Sequence, residues 1–142
     1  TAAELLRVVR PGGRIGLANW TADGLLGDVF RAIAEYSPPP AGVPSPLAWG
    51  SERRMVELFG PESADIACRR RLFNFRYRSA AHWLAVFRDF YGPTLKAFAA
   101  LDPPGQAGLA DLLTAVLERR NVAGPGSLVV PAEYLEVVIV KK

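Results

Sequence analysis

Apolar positions at helical spacing open the chain, where Leu5, Leu6, Val8 and Val9 recur within "TAAELLRVV". Arg10 is expected in the last turn of that helix, where a cation suits the negative end of the dipole, and Pro11-Gly12 stops it. "RIGLANW" follows with the character of a short strand, Ile15 to Trp20. In "TADGLLGDVFRAIAEY" the residues Leu25, Leu26, Val29, Phe30 and Ile33 fall on one helical face, and "SPPPAGVPSP" ends the element. Its proline density excludes helix and central strand, so the segment is a surface excursion or a lid.

Ser51 predicts an N-cap for a short helix carrying Met55, Leu58 and Phe59, closed by Gly60-Pro61. "DIACRRRLFNFRYR" then alternates, with Phe73, Phe75 and Tyr77 on one face and Leu72, Asn74, Arg76 and Arg78 on the other, which predicts a long strand. Ser79 caps a helix lined on one side by Trp83, Leu84, Phe87, Phe90 and Tyr91, broken at Gly92-Pro93. Leu95 and Phe98 mark a short helix beyond. Asp102 as N-cap and Pro103 at the first helical position open an amphipathic helix carrying Leu109, Leu112, Leu113, Val116 and Leu117 to about Asn121. The closing "SLVVPAEYLEVVIVKK" is rich in β-branched residues and reads as strand, with Pro131 predicting a bulge or an exposed stretch near a sheet edge. The order helix, strand, helices, strand, helices, strand predicts an α/β layered domain.

Composition narrows the function classes. The chain has 142 residues, 50% of them hydrophobic and 22% charged, which fits one globular domain over residues 1–142. Its 17 Lys and Arg against 14 Asp and Glu leave only +3, too small a surplus to imply nucleic acid. With one cysteine, Cys68, and one histidine, His82, neither an internal disulfide nor a zinc site of ordinary ligand count can form. A reducing, cytoplasmic setting is expected. No apolar run approaches the ~20 residues that cross a bilayer, so no membrane role is expected. Thr1 is not a methionine and a helical pattern is already running by Leu5, so the chain is expected to be the C-terminal piece of something longer.

Gly12, Gly13 and Gly16 could be taken for a phosphate-cradling loop. Such a loop follows a strand and opens a helix, whereas these glycines follow a helix and open a strand, so a tight helix-to-strand connection fits better.

"ELLRVVRPGGRIGLANW", Glu4 to Trp20, resembles the stretch of class I S-adenosylmethionine-dependent methyltransferases in which a helix ending in "LRxLRPGGR" leads into the fifth strand. The group resembled is the small-molecule one that includes the ubiquinone/menaquinone biosynthesis methyltransferases. The downstream order is similar to that family's C-terminal half: helix, sixth strand, further helices, then a seventh strand inserted antiparallel. The resemblance implies the C-terminal portion of a Rossmann-like fold, with about three strands, one of parallel type and two antiparallel at the edge. It also implies that the cofactor-binding half lies upstream of Thr1. S-adenosylmethionine is therefore expected for the full-length protein and no cofactor for this chain alone, which should be inactive in isolation.

What the resemblance leaves here is part of the acceptor side, because ligands of open α/β sheets lie beyond the carboxyl ends of the strands. Asn19, Trp20 and Thr21 end the first strand and are candidate contacts for a small-molecule acceptor; a turn or cap role for Asn19 and a core or lid contact for Trp20 stand beside that reading. Tyr36 and the proline loop could cover the acceptor. His82, the one histidine, is the candidate base, against a plain position in the first turn after Ser79. No residue is assigned as catalytic.

Two other readings compete. One is a small-ligand-binding module without chemistry. The other is a nucleic-acid platform on "RRRLFNFRYR", five arginines interleaved with aromatics, which a solvated basic strand face explains equally. Cys68 is expected to be packing. The free edge of strand 14–20 is expected to seek another chain, giving a homo-oligomer.

Overall fold

The computed structural model describes all residues from Thr1 to Lys142. It is an α/β protein with helices α1 (Ala2–Val8), α2 (Leu25–Tyr36), α3 (Glu52–Phe59), α4 (Ala80–Phe90), α5 (Gly92–Ala99) and α6 (Pro103–Arg120). Its strands are β1 (Arg14–Trp20), β2 (Ser63–Tyr77) and β3 (Leu128–Lys141), and a 3-10 turn occupies Pro46–Gly50. The element order is the one the hydrophobic pattern predicts. None of the helices is long and apolar enough to cross a membrane.

The three strands form one sheet in the order β1-β3-β2, so the last strand in sequence lies between the first two. β1 and β3 pair antiparallel from Arg14↔Val140 to Trp20↔Tyr134. β2 also runs against β3: Lys142 N donates to the Glu62 carbonyl at one end, while Arg70 meets Glu133 further along. β1 and β2 therefore share a direction without touching, and β1 sits at a sheet edge; the expected pair of antiparallel strands at the edge is not found, because β3 alone runs against the other two and lies between them.

Pro131 requires a correction. The strand that carries it is central, not at an edge. The pairing with β1 stops at Tyr134, so at Pro131 the β1 side of β3 has no partner strand, and a residue without an N–H is tolerated there.

The chain packs as two compact units. The first comprises Thr1–Gly24, Pro44–Leu72 and Glu133–Lys142. Its core joins Leu6 of α1, Ile15 of β1, Met55 and Phe59 of α3, and Leu135, Val137 and Ile139 of β3. Cys68 packs against this cluster, and burial, then the charge of Glu52, pushes its thiol pKa up, so it is a poor nucleophile. Ser51 caps α3 as expected, its Oγ accepting from Arg54 N at 3.1 Å. The end of α1 differs from expectation. The helix stops at Val8 and Arg10 lies outside it; instead Lys141 Nζ donates to the carbonyls of Leu6 (2.6 Å) and Val9 (3.0 Å). A lysine from the far end of the chain thus supplies the cation that a helix C-terminus favours.

The second unit comprises Leu25–Val43 and Phe73–Ala132. In it α2 packs on α6, and α4 on α5 and α6. Leu25, Val29, Trp83, Leu109, Leu113 and Leu117 are fully buried, and Trp83 stacks on Phe87 with centroids 3.6 Å apart. Ser79 caps α4 through His82 N (3.1 Å) and Asp102 caps α6 through Gly105 N (2.9 Å), both as expected. The aromatic stripe of α4 is shorter than its spacing suggests, because Phe90, the last helical residue, is 82% exposed.

Candidate functional site

The carboxyl end of β1 carries the densest polar structure of the first unit. Alternation places Ile15, Leu17 and Asn19 on one face of β1, and Ile15 and Leu17 belong to the core. Asn19 continues that row opposite the fully buried Leu135, so a carboxamide stands where the pattern calls for an aliphatic residue. Its Nδ2 is buried and has no hydrogen-bond partner. An unmet buried donor costs about 1–3 kcal/mol, and a ligand oxygen placed against it would satisfy it.

Trp20 points to the other face, where its ring meets Tyr134 edge-on at 6.1 Å. Thr21, 2% exposed, is pinned by Glu133: its amide donates to the Glu133 carbonyl (3.2 Å) and its Oγ1 to Glu133 Oε1 (2.9 Å). Arg70 Nη1 donates to the same oxygen at 2.8 Å. The result is a Thr21–Glu133–Arg70 chain at the carboxyl end of β1, midway along β2. Gly50 closes the site from the side of the 3-10 turn, where a Cβ would overlap the Trp20 carbonyl oxygen. Only a glycine lets the turn approach the strand that closely.

The other two candidates belong to the second unit. Tyr36 ends α2, and its hydroxyl lies against Gly108 of α6, where a Cβ would overlap it. His82 sits in the first turn of α4, its Nδ1 accepting from Arg78 N at 3.4 Å and its ring edge-on to Tyr77 at 5.4 Å. No carboxylate orients it. Asn19, Trp20 and Thr21 are thus gathered at one strand end, while Tyr36 and His82 stand on separate helices with separate partners.

Sequence reasoning missed Glu133 and Arg70. Glu133 is 112 residues from Thr21 and 63 from Arg70, and only strand pairing brings the three together. The arginine run gave a partial signal, since Arg70 and also Arg71, which pairs with Glu136 at 3.4 Å, are answered by acids on β3.

The glycine turn ahead of β1 is no anion cradle. Gly12 N donates to the Lys141 carbonyl (3.0 Å) and Gly13 N to the Arg10 carbonyl (2.9 Å), so both amides are already used. No group of three or more His, Cys, Asp or Glu is placed to hold a metal ion.

No protein-family model matches the chain. Among curated proteins it is similar to an uncharacterized protein of Mycobacterium tuberculosis, 38% identical over 103 residues, which are 71% of this chain and 38% of that protein. Mycobacterium bovis has a counterpart with the same figures. A second uncharacterized protein of Mycobacterium tuberculosis is 34% identical over 123 residues, 85% of this chain and 43% of the relative. The chain spans about two fifths of the length of the curated relatives it matches.

Proposed function

We propose that this chain is the acceptor-side portion of a class I S-adenosylmethionine-dependent methyltransferase acting on a small molecule. The observation that carries the reading is the strand order β1-β3-β2, in which the last strand is inserted antiparallel between two strands of common direction. The resemblance of "ELLRVVRPGGRIGLANW" carries the expectation of a last strand inserted antiparallel, which β3 matches, and sequential strands more often lie side by side than straddle a later one. The length of the mycobacterial relatives is compatible with a preceding cofactor-binding half.

Within this reading the residues of the chain bind and orient the acceptor, and the cofactor's ligands belong to the half that the resemblance puts upstream. Asn19 Nδ2 supplies a hydrogen bond to an oxygen of the acceptor, Trp20 gives it an apolar wall, and Thr21 is held in place by Glu133. Orientation of this kind can account for much of a transfer rate without a strong base. The unpaired edge of β1 is, in the same reading, where the sheet of the longer protein continues.

Calorimetry on the full-length gene product is the test. Saturable binding of S-adenosylmethionine is expected, and Asn19→Leu should weaken acceptor turnover at least about tenfold while leaving cofactor affinity unchanged. A full-length protein that ignores the cofactor sinks the proposal. The stability of Asn19→Leu is expected to equal or exceed the parent's, because an unmet buried donor is removed.

A further inference from the structure

A cleft of about 540 Å³ opens in the second unit, remote in sequence from Asn19 and with none of the five candidate residues on its walls. Arg78 and Ser79, at the start of α4, and Glu118 and Asn121, at the end of α6, line it together with residues 124–128. Its size lies in the range of small-molecule sites. We infer that this cleft binds a small zwitterion, with its carboxylate at Arg78 and its ammonium at Glu118.

Charge carries the assignment. Arg78 and Glu118, of opposite sign, line the same cleft, and neither is in an ion pair with the other or with a third residue. Helix ends sharpen the polarity. The first-turn amides of α4 have no partner within the helix and carry partial positive charge, next to Arg78. The last carbonyls of α6 carry partial negative charge, next to Glu118. A ligand with one charge of each sign satisfies both ends, and a ligand with a single charge leaves the other end exposed to an unlike field.

The walls are also held in place. Asn121 Oδ1 accepts from Ala123 N (3.0 Å) and Val129 N (2.9 Å), and its Nδ2 donates to the carbonyls of Gly124 (3.1 Å) and Ser127 (2.8 Å). One side chain thus staples the loop that floors the cleft. Ser79, also on the lining, has its Oγ accepting from His82 N at 3.1 Å, and its O–H remains a donor.

The test uses the full chain and two zwitterions of short and long charge separation, L-leucine and 6-aminohexanoate, with N-acetyl-L-leucine and L-leucinamide as analogues lacking one charge. Backbone amide NMR should show saturable shifts at Ala80 and Ser127 for at least one zwitterion below about 10 mM, and at least tenfold weaker binding of the two L-leucine analogues if L-leucine is the binder. Arg78→Gln and Glu118→Gln should each weaken binding about tenfold, and Arg69→Gln, on an exposed strand position away from the cleft, should leave it unchanged. Both charged residues are exposed, so the variants should fold. Failure of both zwitterions to bind overturns the assignment, as does binding that survives either charge removal on the protein.

Discussion

Asn19 and Gly50 meet at the end of β1 for opposite reasons. Asn19 is a polar group where packing favours an apolar one, and Gly50 is an absent side chain where the backbone needs room. A methyl at Gly50 would press on the Trp20 carbonyl, a backbone atom that cannot turn aside. Gly50→Ala is expected to cost about 2–3 kcal/mol in urea unfolding, in the range of overpacked sites. Gly108 gives the contrast, since there a Cβ meets the hydroxyl of Tyr36, the far end of a side chain that can swing away. Gly108→Ala should cost less than about 1 kcal/mol, partly offset by the better helix propensity of alanine in α6. Equal losses at the two sites would contradict this account. Both glycines are visible in the sequence, but which one faces backbone is not, because the neighbour arrives from elsewhere in the chain.

Individual elements were the most legible level. Ser51, Ser79 and Asp102 cap the helices the sequence assigns to them, since capping depends on residues two or three positions away. Contacts between elements were not legible. Asp28 of α2 accepts from Arg31 on its own helix and from Arg119 and Arg120 of α6. Burial pushes its carboxyl pKa up, but the hydrogen bonds from Arg120 and Arg31 outweigh this and hold it below the ordinary 3.8. A folded-state pKa below the unfolded one adds stability that is complete above the unfolded value and fades as pH falls through the folded one. Asp28→Asn should therefore lose about 1–2 kcal/mol at neutral pH, and the gap to the parent should stay constant down to about pH 5 and narrow below pH 4. Parallel unfolding curves across that range check it; a gap that widens on acidification would refute it.

For the whole molecule, the decisive feature is the place of β3. Its buried positions are even-numbered at Leu128, Val130 and Ala132 and odd-numbered at Leu135, Val137 and Ile139. Each half alternates with its own parity, which marks β3 as strand without saying who its neighbours are. The sheet order leaves one edge of β1 without a partner, and unpaired edges recruit other strands. The isolated chain is expected to associate, and light scattering at rising concentration should show a mass above the monomer; a monodisperse monomer throughout would count against it.

The sequence by itself determined the order of the elements, their caps, the glycine turn into β1 and the resemblance it carries, because each depends on neighbours within a few residues. Tertiary structure alone decided that the last strand enters between the first two, that Lys141 caps α1, that Glu133 joins Thr21 to Arg70, and that Arg78 and Glu118 line one cleft. Those arrangements pair residues tens of positions apart, and no local periodicity encodes which distant strand or helix end will arrive.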